Sequence, residues 1–463
     1  MLLMRHSWKD CRGINKEILR IAGPSILANI TVPLVGMVDT IVAGHLGGEA
    51  ATLIGGIAVG SMLFDLLYWN FGFLRVTTGG MTAQAYGRWS GEGFCSYARE
   101  CADTLVRSLT IALASALLLI AVQWWFVDLA FLVVKCSDEV QELARQYFRI
   151  RIWAAPATLS LMAFKGWFIG MQDSISAMVT DLVVNVINIA ASFTLALGIG
   201  GWSGLGYQGI ALGTVLAQYS GLVCSTAILL IKYHRTVTPA LHINGVLSGP
   251  KMHSMFSMNK DIFIRSLCFI AIYIGYTILS AKFGDVLLAS CSIMMKLLMI
   301  FSYFIDGFAY AGEAMTGKYI GLQDWDGVRK TTVWNFVWCG GIAVMFMFVY
   351  GFGGTLMVRL MTSDPTVVDC LRRFILWLML MPVAGCAAFA WDGIFIGATK
   401  SPYIRNAMLL AVLSFFALWI VGGALMGPSA SSEAHIHLLM AAYFAHLAAR
   451  SIYLTSKSKV IYK

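Results

Sequence analysis

A carboxylate in the middle of an apolar stretch costs roughly 2.5 to 3.5 kcal/mol on membrane-insertion scales and is kept where it faces a cavity or a partner. Asp39 is such a residue. Ser25, Ala28, Val32, Asp39 and Ala43 fall on one side of a helix at heptad-like spacing, a mostly small-residue face with a single ionisable group. Pro24 and Pro33 precede it and can kink the helix or free its backbone groups. The plainer alternative places Asp39 near the outer interface, hydrated. Farther along, Asp181, Asn185, Asn188 and Ser192 recur at i, i+4, i+7 and i+11, a narrow polar stripe on an otherwise apolar helix. Thr214 could complete a site with them, although threonine at membrane depth more often bonds its own backbone. A carboxylate among hydroxyl and amide groups can load and release a proton or hold a cation.

Two further helices carry polar faces. One holds Asp65, Tyr68, Gly72 and Arg75, the other Lys296, Met299, Tyr303, Asp306, Tyr310 and Glu313. They are corresponding helices of two halves of the chain, which points to a water-accessible cavity lined by these side chains. Opposite charges pairing across a packed interface are the alternative, and for Arg75 and Glu313, near span ends, so is snorkelling. No catalytic constellation emerges, and an integral-membrane enzyme is disfavoured. Gly204, Gly206 and Gly209 spell a dinucleotide fingerprint but follow no strand, so a tight turn with close helix packing is expected. Gly312, Gly317 and Lys318 imitate a phosphate loop, with Tyr319 in place of the required Ser or Thr. Glu433, His435 and His437 lack a fourth ligand and read as a polar turn, so neither a metal nor a cofactor is expected.

These residues need helices that cross a membrane. Of 463 residues 59% are hydrophobic and 12% charged, with mean hydropathy +0.75; soluble domains carry roughly 25% charged residues. A ruler of about 20 apolar residues yields about twelve spans, at 18–44, 51–78, 104–127, 147–170, 176–199, 208–232, 262–283, 286–312, 331–354, 368–397, 403–427 and 436–455. Lys and Arg gather at the N-terminus (Arg5, Lys9, Arg12, Lys16), in the middle segment (Arg235, Lys251, Lys260) and after the last span (Lys457, Lys459, Lys463). Alternate loops are poor in them; in 128–146, Lys135 and Arg145 are outnumbered by acidic residues. Both termini are therefore expected in the cytoplasm of a multi-pass protein of the plasma membrane, the inner membrane of a bacterium. The net charge of +9 reflects topology and implies no nucleic-acid partner. No cleavable signal is expected, and the ten cysteines, of which only Cys136 falls in an outer loop, imply no disulfide framework.

The chain also repeats itself. Asn15-Lys16-Glu17-Ile18 returns as Asn259-Lys260-Asp261-Ile262, and Met81-Thr82 as Met315-Thr316. Ser137-Asp138 returns as Ser363-Asp364, Pro156 as Pro382, and Gly166 with Phe168-Ile169-Gly170 as Gly393 with Phe395-Ile396-Gly397. Duplicated membrane halves point to a transporter. The expected fold is an all-α integral membrane protein of two six-helix lobes, 1–233 and 259–463, joined by a cytoplasmic linker over 234–258. Six spans per half give both lobes one orientation, related by a pseudo-two-fold axis along the membrane normal. The repeat also places Lys165 and Asp392 at matching positions with opposite charge, which suggests a cross-lobe latch at the inner mouth; snorkelling of Lys165 to the inner surface, with Asp392 paired within its own lobe, is the alternative.

The first span and its loop, Gly23-Pro24-Ser25 through Val38-Asp39-Thr40 to Ala43-Gly44-His45-Leu46-Gly47, resemble the multidrug and toxic compound extrusion (MATE) transporters, particularly their DinF-like branch. Trp69 to Arg75, Ala83 to Arg88, Asp306 to Ala311 and Asp392 to Ala398 extend the resemblance over essentially the whole chain. It implies two six-helix lobes that export organic substrates in exchange for protons or sodium ions. It also places the family's first-helix aspartate at Asp39, its fifth-helix asparagine at Asn188 and its sixth-span threonine at Thr214. Where many relatives have a second aspartate, this chain has Ser192, which favours a proton over sodium because charge count tunes the affinity of an oxygen cage for a hard cation. The expected function is a proton-coupled antiporter of small amphipathic organic compounds, acting as a monomer. A lipid-linked saccharide flippase of the same fold is the alternative.

Overall fold

The computed structural model describes residues 12–46, 50–92, 96–134, 136–198, 200–235, 237–241, 245–247, 249–362, 364–427 and 431–462. Arg5, Lys9, Gly47, Lys135, Ser363 and Lys463 lie outside them. The described residues form helices and no strands: α1 (Arg12–Gly44), α2 (Ala50–Trp69), α3 (Phe73–Glu92), α4 (Ser96–Val133), α5 (Asp138–Arg151), α6 (Ala155–Gly170), α7 (Ser174–Leu197) and α8 (Tyr207–Lys232), then α9 (Pro250–Ala281), α10 (Asp285–Gly321), α11 (Trp325–Met361), α12 (Pro365–Gly397), α13 (Ser401–Met426) and α14 (Ser432–Lys457). They supply twelve helical segments long and apolar enough to cross a membrane. This all-α membrane architecture is the one the sequence predicts.

Two of the twelve spans are broken. The second divides at a turn over 70–72, where Phe71 N–H donates to the Tyr68 carbonyl (2.9 Å). Asp65 and Arg75 are thus on different helices, and the single face expected for them does not form. The fourth begins earlier than expected: Ser137 caps α5 by accepting from Val140 N–H, and a 3-10 turn at Ile152–Ala154 leads into α6. Pro156 cannot donate to the Ile152 carbonyl, which accounts for the break.

The chain divides into two compact units, Leu27–Asn259 and Met1–Ile26 with Lys260–Lys463. The start of α1 thus groups with the C-terminal helices. Within that unit Lys318 pairs with Glu17 (2.9 Å), Trp338 Nε1 donates to Asn15 (2.9 Å), and Gly307 lies against Ala22 and Ile26. The segment expected as a linker is tied to the N-terminal unit, where Arg107 Nε donates to the Val246 carbonyl (2.8 Å) and Lys251 pairs with Glu100 (2.8 Å).

The repeated glycines have one task in both units. A Cβ on Gly166 would strike the Arg75 carbonyl, and one on Gly170 would come within 2.7 Å of the Gly79 carbonyl, so α6 rests on the backbone of α3. In the other unit Gly393 and Gly397 meet the carbonyls of Ala309 and Glu313, and α12 rests on α10 in the same way. Small residues four apart permit such close approach, which in lipid replaces the hydrophobic drive between helices. Both helices end alike, with Gln172 (φ 61°) and Thr399 (φ 54°) in the left-handed region while Asp173 and Lys400 N–H donate to the Phe168 and Phe395 carbonyls (2.8 and 3.0 Å).

Gly166→Ala and Gly393→Ala should each lower thermal stability in detergent by about 1–3 kcal/mol through overpacking. Gly340→Ala, with open space around it in α11, should be neutral or stabilising. A circular-dichroism melt in which all three behave alike would remove this role from the repeat glycines.

Asp173, between α6 and α7, is opposed by burial, yet hydrogen bonds from Lys232 (2.7 Å), Ser176 (2.5 Å) and Tyr233 (2.8 Å) outweigh it and hold its carboxyl below the usual range. Its contribution to stability is present above the ordinary aspartate pKa and is lost as pH falls through the lowered one. Asp173→Asn should cost on the order of 2 kcal/mol at pH 7, and the gap between variant and parent should close below about pH 4. A gap that does not vary with pH would show that the ionised carboxylate is not what stabilises the turn.

Candidate functional site

Asp39 is buried, only 4% exposed, and accepts a hydrogen bond from Ser192 Oγ (3.2 Å). A carboxylate at this depth persists because neighbours supply what water would. α7 is brought to it by close packing with α8: a Cβ on Gly213 would fall 2.8 Å from Ser192 N and 2.9 Å from its hydroxyl. The same approach lets Asn188 Nδ2 donate to Thr214 Oγ1 (3.0 Å), both side chains being buried. Asn188 Oδ1 has no hydrogen-bond partner among the described residues.

The polar stripe of α7 therefore has several partners. Ser192 meets Asp39 and Asn188 meets Thr214, while Asn185 Nδ2 donates to Thr31 Oγ1 of α1 (2.6 Å) and Asp181 pairs with Lys165 (2.8 Å). The upper part of the stripe faces α1 and α8, and its lower end is an ion pair with α6. Val184, half-buried on the same helix, lies with a methyl against Gly221 of α8.

The sequence reading missed Arg151. It lies at the end of α5, where Nη1 donates to Tyr147 OH (3.0 Å) and to Ser61 Oγ of α2 (3.3 Å), and the guanidinium lies over the Phe64 ring (4.9 Å). Asp39 and Asp65 both act on it electrostatically. Arg151 falls inside the predicted span 147–170, so the criterion that singles out Asp39, an ionisable group at membrane depth, applies to it equally. Asp65 itself is exposed and Tyr68 half-buried, stacked on Phe64 (5.5 Å between centroids).

In the C-terminal unit, Met299, Tyr303, Asp306 and Tyr310 are half-buried and Lys296 exposed along α10. Glu313 is fully buried, so it does not snorkel. Asp392 pairs with Arg265 (2.7 Å) and Arg450 inside this unit, and Lys165 with Asp181 inside the other. Lys165 and Asp392 are thus each charge-compensated within their own units. Glu433 pairs with Arg373, Trp377 Nε1 donates to His437 Nδ1 (2.8 Å), and His435 stacks on Phe283 (5.0 Å). The Gly204 to Gly209 motif is a turn, with φ +71° at Gly204, and Gly209 packs on the Leu195 carbonyl.

Twelve helical segments long and apolar enough to cross a membrane, with buried polar groups among them, mark a multi-pass membrane protein. The MatE family profile matches residues 24–194 and 262–425. The chain is 34% identical over 408 residues to DNA damage-inducible protein F of Escherichia coli, covering 87% of this chain and 84% of that protein. It is 22% identical to a probable multidrug resistance protein NorM of Photorhabdus laumondii, over 90% and 87% of the two chains. A MATE crystal structure in the bent conformation matches with a TM-score of 0.82 at 15% identity, over 97% of this chain and 96% of that one. An outward-facing multidrug resistance MATE family transporter matches with a TM-score of 0.80 at 16% identity, over 97% of each. The chain belongs to the MatE family and is a multi-pass membrane transporter.

Ser192→Ala removes the hydroxyl that supports the Asp39 carboxylate and should lower transport about fivefold or more. Val186→Ala, at a position 63% exposed on the same helix, should leave it within a factor of about two. Equal effects in vesicle uptake would make Ser192 a packing residue.

Proposed function

We propose that the protein is a proton-coupled antiporter that exports small amphipathic organic compounds across a bacterial inner membrane, as a monomer with both termini in the cytoplasm. The observation that carries this reading is Asp39, a carboxylate buried in an apolar helix and held by one neutral hydroxyl. A proton needs a single such group, whereas a dehydrated sodium ion needs several oxygen ligands and more compensating charge than Ser192, Asn188 and Thr214 supply. Ionised, Asp39 attracts a cationic compound; protonated, it releases it. Alternating exposure of the site to the two sides then exchanges proton for compound. Asn188, Thr214 and Asn185 hold α1, α7 and α8 in register around the carboxylate. Exposed Asp65 and half-buried Tyr68 of α2 offer polar contacts to the substrate.

Inverted vesicles containing the protein should expel a fluorescent organic cation only when a proton gradient is imposed. Asp39→Asn, isosteric and unable to ionise, should reduce that flux by about tenfold or more at unchanged membrane abundance. Gradient-driven flux at the parental rate would overturn the assignment, as would dependence on a sodium gradient alone.

A further inference from the structure

Arg151 has no part in the exchange just described, yet the N-terminal unit is built to seat it. Gly60 and Gly56 bring α5 against α2: a Cβ on Gly60 would lie 2.7 Å from the Tyr147 ring, and one on Gly56 2.7 Å from Leu143 Cβ and from Tyr207 OH. That approach places Arg151 Nη1 on Ser61 Oγ (3.3 Å) and Tyr147 OH (3.0 Å), with aromatic faces of Phe64 (4.9 Å) and Tyr147 (5.5 Å) beneath the guanidinium. Its hydrogen bonds go to neutral hydroxyls, and it forms no ion pair with Asp39 or Asp65 among the described residues. Asp65 follows Ser61 by one helical turn on α2, beside the hydroxyl that holds the guanidinium, and both Asp65 and Asp39 act on that charge. The other groups nearby are neutral or engaged elsewhere: Tyr207 OH donates to the Leu143 carbonyl, Arg145 pairs with Asp128 (2.5 Å), and Arg149 stacks on Trp124 (4.8 Å). Two carboxylates and one fixed guanidinium leave the cluster one net negative charge, and exposed Asp65 leaves it open to a ligand.

We propose that Arg151 is the resident counter-charge that sets the valence of the transported compound. With both carboxylates ionised the cluster accepts one monovalent organic cation. One proton on Asp39 cancels the same charge, so proton and cation exclude each other one for one and the exchange is electroneutral. Without the guanidinium the cluster would carry two negative charges, bind a dication in preference, and hold a monovalent cation and a proton together. This inference rests on the exchange proposed above for Asp39 and adds the residue that fixes its stoichiometry.

The test is equilibrium binding to the purified full-length protein, followed by intrinsic fluorescence, with tetraphenylphosphonium as the monovalent probe and dequalinium as the dication. In Arg151→Gln the ratio of the two affinities should move about tenfold or more towards the dication, and acidification should weaken tetraphenylphosphonium binding less than in the parent. Arg151→Lys, which keeps the charge, should retain the parental ratio. Asp65→Asn, which leaves the hydrogen bonds and ring contacts of Arg151 in place, should weaken the monovalent probe, and it decides the matter if Arg151→Gln does not fold. An unchanged ratio in Arg151→Gln, a lysine variant that behaves like the glutamine one, or an unaffected Asp65→Asn would each overturn the proposal. If the parent shows no gradient-driven flux while the ratio shifts as described, the proton-coupling reading fails and the role of Arg151 stands.

Discussion

Helices in lipid gain nothing from hydrophobic contact with one another, so the approach of backbone to backbone decides how each unit packs. At Gly166 and Gly170 in one unit, and at Gly393 and Gly397 in the other, a helix rests on the carbonyls of its neighbour. Any side chain there would hold the axes apart and leave polar groups on adjoining turns out of reach of their partners. Gly209 and Gly213 do the same between α7 and α8, and the hydrogen bond between Asn188 and Thr214 depends on that closeness. Gly56 and Gly60 make room on α2 for side chains instead, those of Leu143 and Tyr147 of α5, beside Arg151. The polar chemistry of the chain is laid over a framework of glycine contacts.

That framework explains how a carboxylate survives at Asp39. Its burial carries a desolvation cost that a single hydroxyl offsets only in part. Arg151 acts on it from a distance, fixed by Tyr147 and Ser61. A direct ion pair would hold the carboxylate in its charged form and remove it from exchange. In the exchange proposed above, a counter-charge held off by neutral hydroxyls leaves the group able to change state.

Much of this was legible in the sequence because lipid imposes severe rules. Spans must be apolar and long, so twelve could be found; charges within them are few, so Asp39 and the α7 stripe stood out. The repeat glycines were visible as matched letters, although their task, meeting a carbonyl, is a property of the packed pair. Two features were hidden for definite reasons. The breaks at 70–72 and 152–154 fall within apolar stretches, where hydropathy is blind to a lost hydrogen bond, although Pro156 marked one of them. Arg151 lay within the first turns of the predicted span 147–170 and met the depth criterion, but its own helix carries no polar stripe like that of α7; its partners Ser61 and Phe64 come from α2. Depth along a helix is readable from sequence, whereas the direction a charge faces is set by the neighbouring helix.

Lys165 and Asp392 show how duplication works within these limits. Each precedes by one residue a glycine that contacts a carbonyl, and the close packing that follows draws the charge towards the interior of its own unit. A charge drawn inward must find a partner or be lost, because an unpaired buried ion costs more than the unit's other contacts return. The two units meet that demand with opposite signs: Lys165 with Asp181 of the following helix, and Asp392 with Arg265 and Arg450. Duplication has therefore held the glycine and the need for a pair while leaving the sign free. Opposite charges at matching positions of a repeat are by themselves no sign that the two repeats touch there.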